Sequence, residues 1–86
     1  MSIDFKLTDA DQPLLERLVK PHRAILLLAH ELPDPSYKGI ALYLSVPVGT
    51  VKSRLSRARH CLMALREQQQ FEQQLLTAAT EAAEQL

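Results

Sequence analysis

Residues 36–59, which read SYKGIALYLSVPVGTVKSRLSRAR, decide the fold of this chain. Ser36 is a suitable N-cap for a short helix that ends near Leu44. The segment SVPVG interrupts that helix, because a proline disfavours helical geometry in the residue before it. A second helix then begins near Pro47. A short helix, a tight turn and a second helix in this order predict a helix-turn-helix.

The second helix of this unit has two faces of opposite character. At about 100° per residue its apolar side chains fall within a narrow arc, which consists of Val51, Leu55, Ala58 and Leu62. The opposite side carries donors suited to phosphate oxygens and guanine edges, namely Thr50, Ser53, Ser56, Arg57 and His60, with Lys52, Arg54 and Arg59 on its flanks. Such a face is typical of the helix that enters the major groove of DNA.

Charge is segregated along the 86 residues, although the formal net charge is zero. Residues 1–35 carry two more acidic than basic side chains, residues 36–66 carry six basic side chains and no acid, and residues 67–86 carry four glutamates and no base. Surface helices usually mix both signs, which allows favourable pairs one turn apart. The acid-free middle block therefore predicts binding to a polyanion such as double-stranded DNA, with a merely solvated basic surface as the alternative.

The rest of the chain also has helical rather than strand periodicity, so we predict an all-α fold. A first short helix is expected over residues 11–19 with Pro13 in its first turn, and an apolar helix is expected to begin at Pro21. Residues 1–66 are then a small helical domain that contains the helix-turn-helix. Residues 67–86 are an acidic, glutamine-rich helical extension.

A second apolar series begins in this extension, out of phase with the first. It consists of Phe71, Leu75, Ala78, Ala82 and Leu86, and we call it the C-terminal stripe. The change of phase predicts a bend, or a new helix, near residues 66–70. The C-terminal stripe either joins two copies of the chain in a homodimer or packs back on the chain's own helices, and both interpretations remain open.

Catalytic, metal and membrane chemistry have no support in the sequence. The three histidines are far apart, and Cys61, expected to be partly buried, has no base at a suitable spacing. Two glycines are too few for a G-x-G-x-x-G loop, and no apolar run approaches the roughly 18 residues that cross a bilayer. We expect a cytoplasmic protein that is not an enzyme and needs no cofactor.

The helix-turn-helix stretch resembles region four of bacterial sigma factors of the extracytoplasmic-function type, and the resemblance extends over roughly residues 18–65. It implies that the helix around residues 49–62 reads a promoter −35 element, while another face contacts the β flap of RNA polymerase. Carried over by position, it implies DNA contacts for Lys52, Ser53, Arg54, Ser56 and Arg57, and a place near the DNA backbone for Tyr37 and Lys38. Thr50 and Arg59 join this candidate set because Thr50 lies on the polar side of the second helix and Arg59 lies on its flank.

The sequence also departs from that family's pattern. Gly39 stands where a glutamate is usual, Ser45 stands where a glycine often takes a left-handed conformation, and His30 replaces a basic residue that often contacts a phosphate. The 86 residues have no counterpart of sigma region two, and we expect a stand-alone regulator rather than an excised domain. The alternative function is a protein-interaction module that binds the polymerase flap, or a sigma or anti-sigma partner, without reading DNA.

Overall fold

The computed structural model describes residue 3 and residues 5–85 of the chain. These residues form a 3-10 turn, Asp9–Asp11, and four α-helices: α1 (Gln12–Leu15), α2 (Lys20–Glu31), α3 (Tyr37–Leu44) and α4 (Val48–Glu84). No β-strand occurs in this part of the chain, and the prediction of a small all-α domain is confirmed. None of these helices is both long enough and apolar enough to cross a membrane.

The first helix is shorter than the residues 11–19 that were predicted. Its α-helical part ends at Leu15, and the backbone N–H of Leu18 donates to the carbonyl of Leu15 at 3.1 Å in a tighter turn. Val19 then takes an extended backbone (φ −64°, ψ 152°) as the N-cap of α2, so it cannot continue α1. Pro13 and Pro21 lie in the first turns of α1 and α2, where a proline costs no helical hydrogen bond.

The ends of α3 agree with the sequence prediction. The Ser36 hydroxyl oxygen accepts a hydrogen bond from the backbone N–H of Gly39 at 3.0 Å, which is the predicted N-cap. Ser45 ends the helix in the left-handed region, at φ 58° and ψ 45°. The next residue, Val46, donates its N–H to the carbonyl of Ala41 at 3.0 Å, which reverses the chain towards α4.

The core lies where α4 packs against α2 and α3. Its most deeply buried apolar side chains are Ile25, Leu26, Ala29, Ile40, Val51, Leu55, Ala58 and Leu62. The last four form the predicted apolar seam of the second helix, which is therefore confirmed. Because each fully buried Val, Leu or Ile contributes about 1.5–3 kcal/mol, this seam fixes the rotation of α4 about its own axis.

Helix α4 runs without a break over 37 residues, so the predicted bend near residues 66–70 is wrong. Glutamate and glutamine are good helix formers, and nothing after Gly49 breaks the helix. Phe71 follows Val51 by 20 residues, which places it roughly half a turn away from the buried seam. The change of phase thus turns the second stripe away from the core without any bend.

The last turns of α4 project beyond the domain, and the molecule measures 59 × 22 × 18 Å. Residues 70–85 are all exposed, so the interpretation that the C-terminal stripe packs back on the chain's own helices is also wrong for the described residues. Leu86, the last member of the stripe, lies outside them. The boundary predicted between residues 66 and 67 falls within α4, and the division into two domains stays a prediction.

An N-terminal segment, residue 3 with residues 5–11, packs over the core, and the sequence analysis did not predict this packing. Ile3 and Leu7 are buried. The backbone N–H of Ile3 donates to the carbonyl of Pro35 at 2.7 Å, and that of Leu7 donates to Nδ1 of His30 at 3.0 Å. The imidazole of His30 therefore ties this segment to the end of α2.

Candidate nucleic-acid interface

The start of α3 and the first turns of α4 lie side by side and enclose a shallow groove. Its volume is about 480 Å³, and its lining consists of Ser36, Tyr37, Lys38, Val48 and Lys52. The turn at Ser45 produces this arrangement by bringing the start of α4 back beside α3. The structure thus brings together three of the predicted DNA-contacting residues that come from different helices: Tyr37, Lys38 and Lys52.

The outward side of α4 is exposed, as the position of the buried seam requires. Five of the predicted site residues are exposed to solvent, namely Lys38, Lys52, Ser53, Ser56 and Arg57. Four others are half-buried, namely Tyr37, Thr50, Arg54 and Arg59. No acidic residue occurs in α4 before Glu67, so nothing on this part of the helix repels a phosphate.

The Lys52 ammonium lies 5.5 Å from the centre of the Tyr37 ring. A lysine above an aromatic face gains roughly 0.5–1 kcal/mol at an exposed site. The contact holds the ammonium beside the Tyr37 ring, and Tyr37 is itself fixed at the first position of α3. A pre-positioned cation of this kind loses less side-chain entropy when it binds a phosphate.

Arg59 is half-buried and contacts the N-terminal segment. Its guanidinium lies 5.2 Å from the centre of the Phe5 ring. Phe5 belongs to the N-terminal segment, which packs beside this part of α4. Sequence reasoning missed the contact because the two residues are 54 positions apart and neither has a local signature for the other.

Arg66, counted above among the six cations of the middle block, forms an ion pair. Its Nε and one terminal nitrogen donate to the two carboxylate oxygens of Asp11 at 2.8 and 2.7 Å. The hydrogen bonds from Arg66 lower the pKa of Asp11 to about 2, against the opposing effect of burial. The same pair raises the pKa of Arg66. Asp11 thus neutralises Arg66, and the uncompensated positive charge lies nearer the start of α4.

Nothing in the described residues forms a centre for metal binding. No three His, Cys, Asp or Glu side chains among residue 3 and residues 5–85 lie close enough to hold an ion. Cys61, expected to be partly buried, is exposed. The chemistry that this surface offers is therefore that of its cations and hydroxyl groups towards a negatively charged partner.

Residues 14–62, more than half of the chain, match the family model described as Sigma-70, region 4. The matched range contains α2, α3, the second half of α1 and the part of α4 that carries the buried seam and the exposed cationic face. It excludes the N-terminal segment and the projecting end of α4. No curated protein matches the chain significantly.

Proposed function

The chain belongs to the sigma-70 region 4 family, and on that premise we propose that it is a sequence-specific DNA-binding regulator of transcription that reads a promoter −35-like element. Domains of this family bind DNA and RNA polymerase. The observation that carries the proposal is the exposed, acid-free face of α4 opposite its buried seam. A helix buried on one side and cationic on the other can enter the major groove while the core holds it.

The residues of this face divide into two roles. Lys38 and Lys52 line the groove between α3 and α4 and supply point charges for phosphates on the two sides of the helix-turn-helix. Ser53 and Arg57 lie one turn apart on the exposed side of α4, where their donors reach base edges. Phosphate contacts set the position of the helix, and the base contacts select the sequence.

The proposed role is binding without catalysis, and it needs no cofactor. A regulator that reads promoter DNA acts beside the chromosome, which in a bacterium means the cytoplasm. Thr50, Arg54 and Ser56 complete the proposed DNA surface, with Tyr37 at its edge. We place Arg59 at the border of this surface because Phe5 already covers part of its guanidinium.

Selection from random-sequence duplex DNA at two salt concentrations tests the proposal. We expect a recovered consensus sequence and a steep fall of affinity with salt. The double variant Arg54→Ala, Arg57→Ala should bind DNA more weakly. The base contact of Arg57 accounts for about 1–3 kcal/mol of that loss in binding free energy. The matched control is Lys6→Ala, Lys20→Ala, which removes two exposed cations outside the surface. Equal affinity of the folded Arg54, Arg57 variant and the control would refute the proposal.

A second candidate function is contact with the core of RNA polymerase, including its β flap. The observation that favours it is a pair of exposed apolar side chains on α3, Leu42 and Tyr43, each at least 70% exposed. Adjacent exposed apolar side chains contribute to the contiguous apolar patches that are typical of protein interfaces. Binding of purified polymerase core to the variant Leu42→Ser, Tyr43→Ser tests this role, and the Arg54, Arg57 double variant separates it from DNA binding.

We also propose that the C-terminal stripe joins two copies of the chain. Phe71 and Leu75 are 61% and 54% exposed on a helix that no other described element covers. Ala78 and Ala82 continue the stripe but bury little area, at roughly 25 cal/mol per Å², so the homodimer is weak and depends on concentration. Sedimentation of the full chain over a range of concentrations tests it, and a monomer at every concentration would refute it.

A further inference from the structure

One continuous face of α4 carries both the proposed DNA surface and the C-terminal stripe. Phe71 follows Ser53 by 18 residues, which is five full turns of a helix with 3.6 residues per turn. Leu75 stands in the same relation to Arg57. Because α4 has no break between them, the apolar stripe lies in line with the DNA-facing side chains, about 27 Å farther along the axis at 1.5 Å per residue.

The sizes of the side chains in the stripe favour an antiparallel pair of helices. In one antiparallel register, Phe71 faces Ala82 of the second copy and Leu75 faces Ala78 of the second copy. Each large side chain then meets a small one, which lets the layers interdigitate. In a parallel pair each residue faces the same residue of the second copy. The two Phe71 side chains then crowd one layer, and the alanines leave gaps in other layers.

The glutamates beside the stripe lead to the same orientation. With Phe71 at a d position of a heptad, Glu67 occupies a g position and Glu72 occupies the following e position. Those positions face each other across a parallel coiled coil, so a parallel dimer would bring two pairs of like charges together. In the antiparallel register, e positions face e positions and g positions face g positions. Glu72 then faces Ala79 of the second copy and Glu81 faces Gln74 of the second copy, so this repulsion is absent.

We propose that two copies associate antiparallel through the C-terminal stripe and that the dimer holds two separate DNA duplexes at once. The second half of this statement rests on the proposed function. In the antiparallel dimer the two Arg57 positions are about 58 Å apart along the helix axis. The stripes of the two copies point towards each other, that is, in opposite directions. The DNA surface lies on the same side of α4 as the stripe, so the DNA surfaces of the two copies also point in opposite directions. One straight duplex cannot lie against both.

The native cysteine tests the orientation without any substitution. Cys61 is the only cysteine and is exposed, so a spin label can be attached to it in the full chain. In the antiparallel register the two labelled positions are about 46 Å apart along the axis at 1.5 Å per residue. In a parallel pair they lie at the same level, within about 20 Å of each other, because packed helix axes are 8–10 Å apart. A short distance, or no dipolar coupling at high protein concentration, would overturn the proposal.

Capture of a second duplex tests the two-duplex claim. Beads that carry the selected duplex are mixed with the full chain and with a free, fluorescent copy of that duplex. We expect capture of the fluorescent duplex by the native chain and a loss of about tenfold or more in Leu75→Glu, which places a charge in the stripe. The matched control is Leu76→Glu, which adds the same charge to the same turn roughly 130° from the centre of the stripe.

The outcomes separate this inference from the proposed function. If the native chain and both variants bind single duplex but none captures a second one, the two-duplex claim is wrong and DNA binding stands. If no duplex binds while the Cys61 distance is long, the proposed function fails and the antiparallel dimer stands. If Leu75→Glu and Leu76→Glu reduce capture equally, the stripe is not the contact, and the proposal is overturned.

Discussion

Asp11 and Arg66 are 55 residues apart in the sequence and form a two-bond ion pair at 2.7 and 2.8 Å. The Asp11 side chain is 2% exposed, and it also accepts the backbone N–H of Thr8 at 2.9 Å. The pair therefore joins the N-terminal segment to α4 at the point where the helix leaves the domain. Geometry of this kind, with both carboxylate oxygens satisfied, distinguishes it from an ordinary surface ion pair.

This pair predicts a dependence of stability on pH. The pKa of Asp11 is about 2 in the folded chain, below its ordinary value of 3.8. A lowered folded pKa stabilises the fold above the ordinary value, and the contribution is lost as the pH falls towards 2. Because Arg66 is partly exposed, we expect a contribution of about 1–2 kcal/mol to the free energy of unfolding. Urea unfolding of the native chain and Asp11→Asn at pH 6 and pH 2.5 measures it.

The neighbouring Asp9 supplies the control, since it is exposed and belongs to the same 3-10 turn. We expect Asp9→Asn to keep the acid-induced loss of stability and Asp11→Asn to diminish it. Equal behaviour of the two variants at both pH values would show that the ion pair contributes nothing to folding.

Replacement of Ser45 by glycine should stabilise the domain. Ser45 holds φ 58° at the end of α3, a conformation that costs a residue with a Cβ roughly 1–2 kcal/mol. We expect Ser45→Gly to raise the free energy of unfolding by about 1 kcal/mol, whereas Ser53→Gly, the same exchange inside α4, should lower it by about 0.5 kcal/mol. Thermal unfolding of both variants checks the opposite signs, and a decrease in both would contradict the strain at Ser45.

The salt dependence of DNA binding should identify the phosphate contacts. Each phosphate that is neutralised contributes a slope of about −0.9 to the plot of log affinity against log salt concentration. We expect Lys52→Ala to make this slope less steep by about 1, since Lys52 lines the groove, and Lys20→Ala to leave it unchanged. Fluorescence anisotropy at several salt concentrations measures both, and an unchanged slope in Lys52→Ala would exclude Lys52 from the contact.

The projecting end of α4 should be dispensable for the stability of the domain. The described residues after Gln70 are exposed and contribute nothing to the core. We expect a chain that ends at Gln70 to unfold at a denaturant concentration within experimental error of the full chain, when both are measured below the concentration at which they associate. A large loss of stability would mean that residues 71–85 pack on the domain in solution.

The sequence predicted the helix-turn-helix because its determinants are local. Ser36 caps the helix that begins at the next residue, and the seam from Val51 to Leu62 repeats with the helical period, so neither needs knowledge of the tertiary structure. The exposed face of α4 then followed from the position of the seam. The left-handed conformation at Ser45 did not follow from the sequence, because serine is an unfavourable residue for it.

The contacts of the N-terminal segment were missed because they join residues far apart in the chain. Phe5 with Arg59 and Asp11 with Arg66 leave no periodic pattern, and no helix was predicted before residue 11 that would place Ile3 and Leu7 in the core. The continuity of α4 was missed for a different reason. The change of phase at residues 66–70 indicates a bend only if both apolar stripes face the same core, and the second stripe faces away from it.

NMR mapping of backbone amide shifts in the full chain, while the selected duplex is added, measures whether the outward face of α4 reads duplex DNA. We expect the largest shifts in residues 50–57 and at Tyr37 and Lys38, on the two sides of the groove. Residues inside the seam, such as Val51 and Leu55, should move less than their exposed neighbours Lys52 and Ser53. Shifts confined to residues 71–85, or their absence at saturating duplex, would contradict the account.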